Sequence, residues 1–126
     1  MTERTVLVTG GTRGIGRAMA EEFGRQGHRV AVTVRSGEGP AGTLSVVADV
    51  TDSASLDAAF AEVEEKLGAV EILVANAGIT RDMTFKKMTK ADWDAVMRTN
   101  LDSCFNMTKQ VMDGMVDRAW GRVINV

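Results

Sequence analysis

The stretch VTGGTRGIGRAMA, residues 8–20, joins a short apolar run to an amphipathic helical pattern, and its glycines decide what surrounds them. Glycine lets a backbone approach a phosphate closely, and a helix N-terminus offers free N–H groups and a favourable dipole. The pattern G-x-G-x-x-G fails here, because Thr12 and Ile15 stand where glycines are required. A phosphate-binding P-loop nearly matches from Gly11 to Gly16, but Arg17 and Ala18 replace its lysine and hydroxyl residue. No hydroxyl is then left for magnesium, which argues against nucleotide hydrolysis. The pattern T-G-x-x-x-G-x-G does fit, on Thr9, Gly10, Gly14 and Gly16. The competing reading is a tight corner with no ligand.

Working outward, apolar runs alternate with helical patterns. Thr5–Thr9, Arg29–Val34, Leu44–Ala48, Glu71–Ala75 and Arg122–Val126 read as strands. A helix over Gly14–Gln26 is expected to turn Ile15, Met19 and Phe23 to the core. A second begins with Asp52 or Ser53 as N-cap, buries Leu56, Phe60, Val63 and Leu67, and stops at Gly68. A capping box at Thr89-Lys90-Ala91-Asp92 opens a long helix reaching about Val116. Short apolar strands between amphipathic helices imply an α/β, doubly wound parallel sheet of Rossmann-like order 3-2-1-4-5. The expectation is one domain over residues 1–126 that ends at its fifth strand, GRVINV, and is therefore incomplete at the C-terminus. The long helix carries apolar residues on more of its surface than one stripe requires, Trp93, Leu101, Phe105 and Met112 among them. They suit either deep burial or a second buried face, and the second is favoured.

Composition removes several function classes. With 44% hydrophobic and 25% charged residues the chain is of globular type, and its net charge of −2 gives no electrostatic reason to bind nucleic acid or an acidic membrane. Single copies of cysteine (Cys104) and histidine (His28) exclude an internal disulfide and a Cys/His zinc site, so no metal is expected. No secretory signal or membrane span is visible, which points to a cytoplasmic protein.

The glycine loop resembles that of the short-chain dehydrogenase/reductase family. Ala48-Asp49-Val50 after strand 3, Asn76-Ala77-Gly78 after strand 4 and Asn100 in RTNL resemble further family motifs, in order, over the whole chain. The resemblance implies a nicotinamide cofactor held by Thr9, Gly10, Thr12, Arg13, Gly14, Ile15, Gly16, Asp49, Val50, Asn76, Ala77 and Gly78. It implies that Asp49 and Val50 meet the adenine and that Asn100 belongs to a catalytic Asn-Ser-Tyr-Lys set. Residues up to about Gly78 look like bacterial 3-oxoacyl-(acyl-carrier-protein) reductases; the rest resembles acetoacetyl-CoA reductases. That change of likeness fits a chimaeric or engineered sequence, and equally a natural reductase sharing both. The second likeness puts Asp82 and Lys87 near the substrate entrance.

Charge argues for the choice of cofactor. An acid at the end of strand 2 would bond a ribose 2′-hydroxyl and repel a 2′-phosphate. Arg35 stands there, with Arg13 in the loop as a second cation, so NADP(H) is expected unless Arg35 is only a solvated surface charge. The expected reaction is NADPH-dependent reduction of a 3-oxoacyl thioester, with this chain as the N-terminal, cofactor-binding half. The family's acid is a tyrosine, and the 126 residues contain none. The alternatives are a nucleotide-binding module without turnover and a half-domain that self-assembles. Self-association is expected through the helix over 89–116 or the strand edge over 122–126.

Overall fold

A computed structural model describes residues 2–126. Among them, β1 (Thr5–Val8), β2 (Arg29–Val34), β3 (Leu44–Val47), β4 (Ile72–Ala75) and β5 (Arg122–Asn125) form one parallel sheet ordered β3-β2-β1-β4-β5. This is the expected doubly wound order. The central strands are buried on both faces, as near-continuous Val/Leu/Ile runs require. Helices α2 (Ser53–Leu67) and α4 (Ser103–Asp117) cover one face, where Leu7, Val46, Leu56, Phe60, Leu73, Met107 and Val111 pack together. Helix α1 (Gly14–Arg25) covers the other with Ala20, Met19 and Phe23 over Val6, Val8, Val32 and Val74.

Local chemistry explains where the elements begin and end. Asp52 caps α2 by accepting the Ala54 N–H at 3.0 Å, and Gly68, at φ +97°, ends it. Thr89 and Asp92 close the expected capping box on α3 (Lys90–Met97). Beyond Met97 the long helix departs from expectation. It widens into a π-turn over Arg98–Asp102 before resuming as α4, so two α segments flank a wider turn that carries Asn100.

A second departure lies at Ile15. Spacing alone puts it on the core stripe of α1, yet it is 66% exposed, whereas Met19 and Phe23 do pack on the core. Ile15 heads the helix above the sheet's end, where no strand lies beneath it.

The β2–β3 connection is nine residues, 35–43, without a helix, shorter than most parallel crossovers. Gly39 makes this possible. A Cβ there would lie 2.4 Å from Val32 Cγ2, so the bare backbone lies flat on the strand, and its N–H donates to Ser45 Oγ at 2.9 Å.

At the opposite ends of the strands, Trp120 lies between two cations. The Arg4 guanidinium is 3.3 Å from its ring centroid and that of Arg122 4.6 Å. Arg4 also pairs with Glu71 at 3.1 Å, and Glu71 accepts the Thr5 N–H at 3.0 Å, so β1, β4 and the approach to β5 are tied together.

The β3–α2 turn is organised by Asp49. Its Oδ1 accepts from Thr51 Oγ1 at 2.6 Å and from the Thr51 N–H at 2.9 Å. The Thr51 hydroxyl, then its N–H, then the guanidiniums of Arg35 and Arg98 hold the carboxyl below its ordinary 3.8. The folded value is the lower one, so this stabilisation is complete above about pH 4 and fades as pH falls through the depressed value. Urea midpoints measured from pH 6 to pH 3 should therefore fall less steeply in Asp49→Asn than in the unmodified chain. Ala119, the one non-glycine described residue in the left-handed region at φ 55°, gives a second test. Ala119→Gly should raise the melting temperature by roughly 2 °C, because relief of about 1 kcal/mol of strain exceeds the added flexibility of the unfolded chain.

Candidate functional site

The site lies at the C-terminal ends of the strands, where a doubly wound sheet changes direction. It starts from the meeting of β1 and β4. Thr9 is buried, and its Oγ1 accepts the N–H groups of Asn76 and Ala77, both at 2.9 Å. Asn76 answers by donating Nδ2 to the carbonyls of Thr9 at 3.2 Å and Gly10 at 3.3 Å. Gly16 fits beneath them. A Cβ there would lie 2.2 Å from the Gly10 oxygen and 2.4 Å from Asn76 Nδ2. Gly10 and Gly14 take φ +69° and +60°, and the Gly10 N–H donates to Thr33 Oγ1 at 3.1 Å.

A cavity of about 520 Å³ opens over this junction. Of the residues expected from sequence, Gly10, Thr12, Arg13, Gly14, Arg35, Val50, Asn76, Ala77 and Gly78 line it. Thr9 and Gly16 lie beneath it, Ile15 stands exposed at the head of α1, and the Asp49 side chain serves the turn described above. Thr33, Val34, Ser36, Ala48, Ile79 and Thr99 also line it without having been expected as cofactor contacts. Ala48 opens the Ala48-Asp49-Val50 motif, so among these it carried a sequence signal. Thr99 enters because Asn106 Nδ2 donates to the Val50 carbonyl at 3.2 Å, which docks the helix against the β3–α2 turn.

Beyond Gly78 the chain is held by Asn100. Its Oδ1 accepts the Ile79 N–H at 2.8 Å and its Nδ2 donates to the Ile79 carbonyl at 2.9 Å, so both ends of the amide serve one residue. A second cavity, about 470 Å³, is bounded by Arg13, Gly78, Ile79, Thr80, Arg81 and Asn100. Asp82 and Lys87 line neither cavity; both are exposed on the segment that follows. Among the described residues no helix is long and apolar enough to cross a membrane.

The arrangement offers a glycine loop at a helix N-terminus, apolar walls at Ala48 and Val50, and cations at Arg13 and Arg35. It suits an extended, polyanionic ligand with a flat apolar group at one end.

Comparison with known proteins gives the same reading of the chain. The family model described as short chain dehydrogenase matches residues 4–126. An acetoacetyl-CoA reductase of Cupriavidus necator is 44% identical, over 100% of this chain and 56% of the relative. The 3-oxoacyl-(acyl-carrier-protein) reductase MabA of Mycobacterium avium is also 44% identical, over 98% of this chain and 48% of the relative. Nodulation protein G of Azospirillum brasilense reaches 44%, over 100% of the chain and 56% of the relative. The chain thus spans about half the length of the curated relatives it matches. With the glycine loop, the Asn76-Ala77-Gly78 junction and the sheet order in agreement, the chain belongs to the short-chain dehydrogenase family.

Proposed function

We propose that the protein reduces a 3-oxoacyl thioester, carried on coenzyme A or an acyl carrier protein, to the 3-hydroxyacyl thioester with NADPH. Residues 4–126 form its cofactor-binding part in this reading. The observation that carries it is the one cavity running from Arg35, past the glycine loop, to Asn76–Gly78. Two relatives, an acetoacetyl-CoA reductase and a 3-oxoacyl-(acyl-carrier-protein) reductase, support the substrate class.

The residues present fit a dinucleotide. Arg13 precedes α1 without a side-chain cap, so it provides no acceptor for the first-turn N–H groups, which remain available to a pyrophosphate. An added Cβ on Gly14 would meet nothing within 4 Å, so the loop is open on the ligand side. Ala48 and Val50 offer apolar walls to the adenine, and Arg13 and Arg35 offer charge-assisted bonds to a 2′-phosphate. When bound, NADPH supplies the hydride. Thr9 and Asn76 keep the backbone at the nicotinamide end fixed through their mutual bonds. Asn100 holds Ile79 from the π-turn, and with both polar ends of its amide so used it positions that wall and does not act as an acid. Asp82 and Lys87 remain candidate substrate contacts on the exposed segment after Thr80.

Self-association has a candidate surface on the long helix. Leu101, Phe105, Met112 and Val116 are exposed, and their spacing puts them on one stripe. A second copy offering the same stripe would cover it by twofold symmetry.

Two measurements test these assignments. Arg35→Ala should weaken NADPH binding about 10- to 100-fold in a fluorescence titration and leave NADH within about twofold, as expected for a lost charged hydrogen bond. Equal losses for the two cofactors would remove the 2′-phosphate from Arg35. Phe105→Glu should lower the mass found by light scattering at micromolar concentration, while an unchanged mass would move the interface elsewhere.

A further inference from the structure

The second cavity carries one arginine, Arg81, that the cofactor proposed above does not use. Arg13 lines both cavities, Arg35 only the first and Arg81 only the second. Among the described residues no lysine or carboxylate lines either one, although the chain's net charge is −2. Three arginines thus line the two cavities.

This inference rests on the function proposed above. NADPH brings two anionic groups, a 2′-phosphate for Arg35 and Arg13 and a pyrophosphate for the start of α1. Arg81 is left over. It lies three residues beyond Gly78, at most about 11 Å along the chain, at the end of the site away from Arg35.

Its local partners do not use up its charge. Arg81 Nη1 donates to the Thr80 carbonyl at 3.3 Å, and Nε lies 4.0 Å from Asp92 Oδ1, the outer limit of an ion pair. The other Asp92 oxygen closes the α3 capping box with the Thr89 N–H at 3.2 Å. Nη2 has no hydrogen-bond partner among the described residues, and the side chain is about half exposed. An arginine fork at the wall of a concave site is suited to a phosphate or carboxylate.

We propose that Arg81 forms a second anion site at the wall of this cavity, which takes the phosphate of the substrate's 4′-phosphopantetheine arm. Coenzyme A and acyl carrier proteins both present their acyl group on this arm, and the arm carries a phosphate at its far end. The site therefore reads the feature the two carriers share, and the acyl group enters past Gly78 with its arm anchored.

Calorimetric titration of the purified protein, saturated with NADP⁺, with 4′-phosphopantetheine and with pantetheine tests the assignment. The phosphorylated form should bind about 10-fold more tightly, and Arg81→Ala should abolish that difference. Arg81→Lys should restore only part of it, because an ammonium lacks the planar fork. NADPH affinity in Arg81→Ala should stay within about twofold, which also shows that the variant is folded. Parallel titrations with coenzyme A and a holo acyl carrier protein identify the source. A loss with either one supports the site and names its carrier, and a loss with neither overturns it. Equal binding of pantetheine and its phosphate, or a matching loss of NADPH affinity, would also overturn it while the proposed reaction stands. Failure of the unmodified protein to bind NADPH would overturn both.

Discussion

The site depends on how closely two backbone segments and the Asn76 side-chain amide approach at Gly16. The first turn of α1 lies so near the Gly10 carbonyl and the Asn76 amide that no side chain fits between them. This contact sets the height of α1 over the sheet, the path of the glycine loop and the position of the segment after β4 together. Thr9 and Asn76 lock the same junction by exchanging hydrogen bonds across β1 and β4. A residue larger than glycine would have to push the helix away or break that exchange. In either case the loop N–H groups would no longer face the same space as Asn76–Gly78. The cavity is thus a consequence of close packing beneath it, and its open shape needs no separate explanation.

Electrostatics acts on top of this frame. The chain is slightly acidic overall, yet every charged residue lining the two cavities is an arginine. The local field is therefore opposite in sign to the net charge, and walls of low polarisability strengthen it within a concave site. Asp49 contributes from just outside the cavity. Its carboxylate is held by Thr51 and feels both Arg35 and Arg98, so it is a fixed counter-charge beside the Arg35 end of the cavity. A fixed counter-charge limits the mutual repulsion of the arginines without itself facing the ligand.

The sheet was readable in the sequence because buried parallel strands must be nearly continuous Val, Ile and Leu, and Thr5–Val8 and Ile72–Ala75 are. The end signals were readable for the same physical reason: Asp52, Gly68 and the Thr89–Asp92 box satisfy or release backbone groups locally. Periodicity failed at Ile15, because a 3.6-residue repeat reports a helix face and not whether anything lies beneath its first turn. It failed again at the π-turn, since one inserted residue leaves the apolar pattern on either side intact. The glycine loop, Arg35 and Asn76–Gly78 are legible as short motifs. Thr33, Ile79 and Thr99 join the cavity from β2, the segment after β4 and the π-turn, and nothing local marks them. Trp120 was missed likewise: its two cations come from positions 4 and 122, and only the sheet order brings them to one ring.

The two ends of the sheet therefore do different work. At the N-terminal ends of the strands the charges are consumed internally: Arg4 by Glu71 and Trp120, and Arg29 by the Leu67 carbonyl and Thr5. At the C-terminal ends Arg35, Arg13 and Arg81 are left facing cavities. Both sets are arginines on the same sheet, so residue type cannot account for the difference. What differs is how far their partners satisfy them: carboxylates, carbonyls and an aromatic face converge on the first set, while the second borders cavities, Arg81 reaching only the Thr80 carbonyl at 3.3 Å and Asp92 at 4.0 Å. Cations with well-placed acceptors stabilise the fold, whereas cations left short of acceptors favour an anion from outside. By that criterion the arginines lining the cavities are suited to an anion from outside, and the stack at Trp120 is part of the frame that holds the sheet in place.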